Sequence, residues 1–195
     1  MMKSSISLAL LLIFSSAPLL SQTKYEREHR IKRSQFPEQA LQFIGDSLEN
    51  VRRLRFYKET DSSRTSFAAK FKKERLHYSM EFDKDGMPEN IKILVKEVDL
   101  PRDSYAQIRS YLDTGFHSYR IRKIQQQYPV RPGEAKETTL RNAFQNLLLP
   151  SVNYELIVVG KKEDVNNDYE ILFGSEGDFI SIRTSVPANY DHILY

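Results

Sequence analysis

Phe82-Asp83-Lys84-Asp85-Gly86, then four residues, then Ile91-Lys92-Ile93 is the stretch whose reading decides the fold, because it occurs twice. The second copy is Phe173-Gly174-Ser175-Glu176-Gly177, then Asp178-Phe179, then Ile180-Ser181-Ile182. Each copy reads as a strand, an acidic turn closed by glycine, and a second strand. Glycine suits such turns because they require φ > 0. Upstream of each copy lie two more strand-like runs and, before them, an amphipathic helix led by proline. Repeats are sought first because they dictate architecture. The pattern predicts one helix-plus-four-strand unit used twice.

In the first unit, Phe36-Pro37 leads a helix expected over about 37–49, with Ala40, Phe43, Ile44 and Leu48 at helical spacing. Leu54 and Phe56, then Phe67, Ala69 and Phe71, then Leu76, Tyr78, Met80 and Phe82, then Ile91, Ile93 and Val95 each alternate with polar residues. A period of two means half-buried strands, and the short turns between them mean antiparallel pairing. The second unit restarts at Leu100-Pro101, with Tyr105, Ile108, Tyr111 and Leu112 on one helical face and Gly115 as its stop. A strand over 116–126 follows. Tyr128-Pro129-Val130-Arg131-Pro132-Gly133 then breaks regular structure. A third helix is expected over 138–148, capped by Thr138 or Thr139, with Leu140, Ala143, Phe144 and Leu147 as its stripe. Strands resume over Tyr154–Val159, Tyr169–Phe173 and Phe179–Thr184, and Val186-Pro187 echoes Leu100-Pro101. Asp164, Asn166, Asn167 and Asp168 read as a polar loop.

Lys3, the short apolar run Ile6 to Phe14 and the small residues before Gln22 form an export signal over 1–21, too short to span a bilayer. Removing it leaves about 174 of 195 residues. No later stretch could span. The chain has no cysteine, so it has no disulfide, no thiolate metal site and no lipid-attachment cysteine. Eleven Phe and eleven Tyr supply the large core side chains that an exported, disulfide-free chain depends on. This composition suits the periplasm or cell surface of a Gram-negative bacterium.

The net charge is +3, but the cations crowd into Lys24, Arg27, Arg30, Lys32 and Arg33 and then Arg52, Arg53 and Arg55. Export argues against nucleic acid as their partner. An acidic partner, such as a glycan, a lipid head group or a protein, is the alternative to solvated outer faces. His29, His77, His117 and His192 show no metal-ligand spacing. Asp83-Lys84-Asp85-Gly86 lacks the longer ligand series of a calcium loop. There is no G-x-S-x-G elbow and no glycine-rich phosphate loop. The residues give no catalytic set, no metal site and no cofactor.

The repeated helix, four-strand meander and F-x-x-D/E-G-x(2–4)-I-x-I signature resemble the secreted beta-lactamase-inhibitor-like (BLIP-like), PepSY-like proteins of Bacteroidetes. Residues 36–98 resemble one unit, and 101–127 with 153–186 a second. The resemblance implies an α+β fold of two tandem helix-plus-four-stranded antiparallel units, 22–98 and 99–195, with an insertion at 129–152 carrying an added helix. It implies sheets forming a curved surface with helices on one side, and no family-wide catalytic residues. The resulting expectation is an exported, non-enzymatic binding module that recognises a protein partner in the cell envelope, with inhibition of a hydrolase among the options. The alternative is a module for a small molecule, lipid or glycan, and a hydrolase is the third reading. The binding face is expected on the open outer side of the first unit, around Lys70, Lys72, His77, Ser79, Glu81 and Lys92. In the second unit both strand faces are apolar, so the inserted helix is expected to cover Ile157, Val159 and Leu172.

Overall fold

The computed structural model describes residues 23–24, 26–61, 64–162 and 164–185. The export signal and Val186-Pro187 lie outside them. The strands are β1 (Thr23–Lys24), β2 (Glu26–Ile31), β3 (Arg52–Asp61), β4 (Arg64–Lys73), β5 (Leu76–Phe82), β6 (Pro88–Val95), β7 (Ser118–Pro129), β8 (Asn153–Lys162), β9 (Val165–Gly174) and β10 (Phe179–Ser185). The helices are α1 (Glu38–Ile44), α2 (Arg102–Gly115) and α3 (Lys136–Phe144). No described helix is long and apolar enough to cross a membrane.

The strands make one sheet, not two. Its order is β1-β10-β9-β8-β7-β6-β5-β4-β3-β2. The strands of the two expected units, β3–β6 and β7–β10, lie side by side, joined where β6 pairs β7 from Asn90↔Pro129 to Val95↔Ile124. Every pairing is antiparallel except β1 with β10. The two ends of this order belong to one segment. Lys24 pairs with Ser185 of β10, and Glu26, two residues on, pairs with Asp61 of β3. Two residues span only about 7 Å. The N-terminal segment therefore closes the sheet on itself.

Alternation sorts the side chains onto the two faces. The outer face carries Phe71, Tyr78, Ile93, Gln126, Tyr154 and Phe173 in one row across β4 to β9. All three helices pack on this face. Phe43 of α1 meets Phe82 at 6.1 Å between ring centroids, and Tyr111 of α2 meets Phe173 at 5.4 Å. Phe36, just before α1, packs on Phe56 and Phe82 at 4.7 and 5.6 Å. Burying each such ring contributes about 2–3 kcal/mol.

Both turn glycines lie in the left-handed region and are buried against the start of a proline-led helix. Gly86 has φ +84°, and a Cβ there would fall 2.8 Å from Pro37 Cβ and 2.9 Å from the Ala40 nitrogen. Gly177 has φ +92°, and its Cβ would fall 2.4 Å from the Ser104 carbonyl oxygen. Asp83 Oδ1 completes the first turn by accepting from the N–H groups of Asp85 and Met87 at 2.9 and 2.8 Å. Ser104 Oγ ties the second turn to α2 by donating to the Ser175 carbonyl at 2.7 Å.

Several expectations are corrected. β7 runs on to Pro129, because pairing with β6 holds the segment extended. Asn166, Asn167 and Asp168 are ladder residues of β9, not a loop. Helix α3 is capped at Ala135, not at Thr138 or Thr139, and ends at Phe144. It does not cover Ile157, Val159 and Leu172. It lies over β6 and β7 on the same face as α1 and α2, with Phe144 against Tyr78 at 5.4 Å and Phe71 at 6.3 Å. Its stripe joins the common core, and sheet closure covers the other face of β8 instead.

Gly177→Ala tests the turn packing, since it adds both positive-φ strain and a backbone clash. We expect a loss of about 2–4 kcal/mol in urea unfolding. A variant as stable as the parent would show that the turn does not rest on α2.

Candidate functional site

The face opposite the helices was expected to be open, and it is not. Tyr57, Ala68, Ser79, Lys92, Gln125, Glu155 and Ile157 are all buried on it although no helix packs there. The closed sheet itself buries them. A closed sheet of about eight strands has an interior just wide enough for side chains to fill. Of the residues expected on an open face, Ser79 and Lys92 are buried, and Lys70, Lys72, His77 and Glu81 are half-buried. Register explains the grouping: Arg55, Lys70, Ser79 and Lys92 form one row across β3 to β6, with Lys72↔His77 beyond it on β4 and β5.

Lys92 is the centre of an ion-pair network. Its ammonium meets Glu81 Oε1 at 2.8 Å and Glu155 Oε2 at 2.9 Å. Burial alone would push its pKa down; Glu155, Glu81 and Glu170 outweigh burial and hold it well above the usual lysine range. Glu81 is held in turn by Asn90 Nδ2, which donates to Oε2 at 3.0 Å. Lys70 pairs with Glu28 and lies 4.8 Å from the Tyr57 ring centre. Burial opposes its charge, but Glu28 and Glu59 raise its pKa on balance. Further along, Arg183 pairs with Glu170 at 3.2 Å and Arg122 with Asp168 at 3.1 Å. His77 is pushed down by burial and by the cations Lys72 and Arg53.

Lys123, on β7, was missed by the sequence reading. Burial pushes its pKa down to about 8, and Lys70 and Lys92 add to this against Glu155 and Glu81. Among the described residues no ion pair or hydrogen bond holds its ammonium. Its neighbours in the sequence, Arg122 and Ile124, gave no signal, because a strand lysine reads as solvated. Among the described residues no group of three or more His, Asp or Glu gathers as metal ligands.

A concavity lies where β2 ends and β3 begins. It is a cleft of about 570 Å³ lined by Arg30, Ile31, Lys32, Arg33, Gln35, Leu54, Arg55 and Phe56. Among the described residues no carboxylate lines it. Beside it the register of β3 shifts in a bulge between Arg52 and Arg55, where Arg53 adopts φ 59°. The chain turns beside it at Arg33–Gln35, where the Lys32 N–H donates to Gln35 Oε1 at 3.0 Å. Bulges re-aim side chains and recur beside binding sites.

No family model matches the chain, and no curated protein matches its sequence. Among solved structures it is similar to a DUF2874 family protein from Bacteroides ovatus ATCC 8483, with TM-score 0.49 and 10% identity over 76% of this chain and 87% of that one. It is similar to a DUF2874 family protein from Bacteroides uniformis ATCC 8492, with TM-score 0.48 and 13% identity over 76% and 88%. A BLIP-like protein from Bacteroides fragilis NCTC 9343 gives TM-score 0.47 and 11% identity over 76% and 86%. The BLIP-like side of the resemblance has this counterpart; the PepSY-like side has none among these descriptions. Likeness at this level carries no conclusion about partner or activity.

Two predictions follow from the interior charges. Lys92→Met takes the ammonium from buried Glu155 and half-buried Glu81 and should cost about 3–5 kcal/mol in urea unfolding, whereas the triple change Glu81→Gln, Lys92→Met and Glu155→Gln should cost far less. Equal losses would mean that the network holds no buried charge. For Lys123 the folded pKa is about 8, below an unfolded value of about 10.4. The unfolded chain then binds more protons between those values, so this residue's contribution to stability rises with pH across that window. Lys123→Met should therefore be more stable than the parent at pH 7, with the advantage shrinking from pH 8 to 10. A constant difference would refute the depressed pKa.

Proposed function

We propose that this chain is an exported, non-enzymatic binding module of the cell envelope, built as a tandem repeat, whose ligand is an anionic glycan bound in the cleft where β2 ends and β3 begins. Gly86 abutting Ala40, three residues after Pro37, and Gly177 abutting Ser104, three residues after Pro101, support the tandem reading. The leader at 1–21 supports export. The observation that carries the ligand is the cleft lining: Arg30, Lys32, Arg33 and Arg55 with no carboxylate among them. A concentration of cationic side chains at one cleft raises the local potential that attracts a multiply charged anion. Guanidinium groups also present forked donors that match sulfate and carboxylate groups. Ile31, Leu54 and Phe56 supply the apolar floor against which a sugar ring packs. Recognition of a protein through the face carrying Lys70, Ser79, Glu81 and Lys92 loses its main support, because that face is turned inward.

The test uses the mature protein with a heparin-derived sulfated oligosaccharide, its desulfated counterpart, and anionic phospholipid vesicles as separate arms. The sulfated oligosaccharide should bind with an affinity that falls as salt rises. The double variant Arg30→Ala and Arg33→Ala should weaken binding at least about tenfold, two lost charge contacts being worth about 1.4 kcal/mol or more. Equal binding of the desulfated sugar, or binding only to vesicles, would reject an anionic glycan at this cleft.

A further inference from the structure

On the premise that the cleft holds an anionic glycan, we infer that this ligand is an extended sulfated chain, and that Arg53, Lys72 and His77 form a second subsite for its next anionic group. Strand register makes the two subsites neighbours. Arg55 of the cleft pairs with Lys70. One row nearer the turn between β4 and β5, Arg52 pairs with Lys72, and Lys72 with His77. Arg53 follows Arg52 inside the bulge. From Arg55 to His77 is two strands across and two residues along, about 12 Å between Cα atoms. One sugar ring does not bridge that distance; a chain of several does.

Charge pairing changes between the two rows. In the inner row Lys70 has Glu28, and Lys92 has Glu81 and Glu155. In the row nearer the turn, among the described residues, no carboxylate pairs with Arg53 or Lys72. Arg52 is committed elsewhere, donating to the Glu74 carbonyl at 3.4 Å. Like charges directly opposite on neighbouring strands are unfavourable, and Lys72 has Arg52 on one side and His77 on the other. Arg53 is exposed and Lys72 and His77 are half-buried, so a ligand can reach each of them from solvent. Arg53 keeps φ 59°, a left-handed conformation that is uncommon outside glycine and that recurs at ligand sites.

His77 makes the second subsite respond to pH. The charged groups that act on it are Lys72 of β4 and Arg53 of β3, both cations, and the next position across, on β6, is the uncharged Leu94. Burial and those two cations hold its pKa below the usual histidine value, so the free protein carries it neutral at about pH 7.5. A sulfate bound beside it favours the imidazolium and raises that pKa. Binding then takes up a proton, and affinity rises as pH falls through the histidine range. Sulfate esters keep their charge across that range, so the protein supplies the pH dependence.

A heparin-derived disaccharide and a hexasaccharide are the probes, titrated calorimetrically into the mature protein at about pH 7.5 and about pH 5.5. The hexasaccharide should bind about tenfold tighter than the disaccharide, because it engages both subsites at once. Lys72→Gln should remove most of that advantage. Hexasaccharide binding should tighten about threefold or more at the lower pH, and His77→Gln should abolish that gain. Urea unfolding of both variants shows that they fold as the parent does. Lys72→Gln and His77→Gln with the parent's hexasaccharide affinity at both pH values would overturn the second subsite. If Arg30→Ala with Arg33→Ala still weakens both oligosaccharides in that case, the cleft reading stands alone. A parent that binds neither oligosaccharide would overturn both.

Discussion

Everything distinctive about this molecule depends on two residue pairings made by one short segment. Lys24 lies against Ser185 and Glu26 against Asp61, so the outer strands β10 and β3 share a neighbour. A sheet left open at that point would present its charged face to water. Two pairs of residues cap only the last part of the β10 edge, at Thr184 and Ser185. Closure turns polar side chains inward, and from then on every interior charge needs a partner.

The interior meets that requirement unevenly, and the unevenness is informative. Desolvation of a buried ion costs several kcal/mol, and only close, hydrogen-bonded counter-charges offset it. Lys92, between two carboxylates drawn from β5 and β8, meets the condition. Lys123 does not. Both are lysines on antiparallel strands of one sheet, and opposite pKa directions separate them. Burial is common to both. What differs is whether the register delivers a carboxylate to the ammonium. The basic cleft is a different kind of site, because Arg30, Lys32 and Arg33 are exposed and solvent screens their repulsion.

The sequence made local order legible and long-range closure illegible. Period-two runs located β4, β5, β6, β8 and β9, because alternation follows from the pleat. Proline and glycine located the helix starts and the turns, because each constrains φ. Alternation also assigned Lys70, Ser79, Glu81 and Lys92 correctly to one face. It could not say whether that face meets water or the inside of a closed sheet, because polar side chains satisfy either when they can pair with one another. The partners that make the difference, Glu28 and Glu155, lie 42 and 63 residues away from Lys70 and Lys92. The apolar second face of β8 was read properly as covered, but the cover was assigned to α3. The stripe of α3 suits any apolar surface, and nothing local to it distinguishes one face of the sheet from the other. The cleft was visible only as a concentration of arginines, since the bulge at Arg53 leaves no mark in composition.

Closure through the first strand also sets an order of events for the chain. Thr23 and Lys24 are the first described residues, and their partners Thr184 and Ser185 are the last. Contacts so far apart in sequence form slowly, because the loop they close must lose its freedom before they contribute. The meander from β3 to β10 consists of neighbour-to-neighbour pairings across short turns, apart from the longer connections that carry α2 and α3. It can assemble locally while the N-terminal segment waits. Until that segment docks, Lys70 lacks Glu28 and the charged interior stands open to water. Docking of that segment therefore carries a dehydration of ionic groups, a cost that the Lys70–Glu28 pair helps to offset.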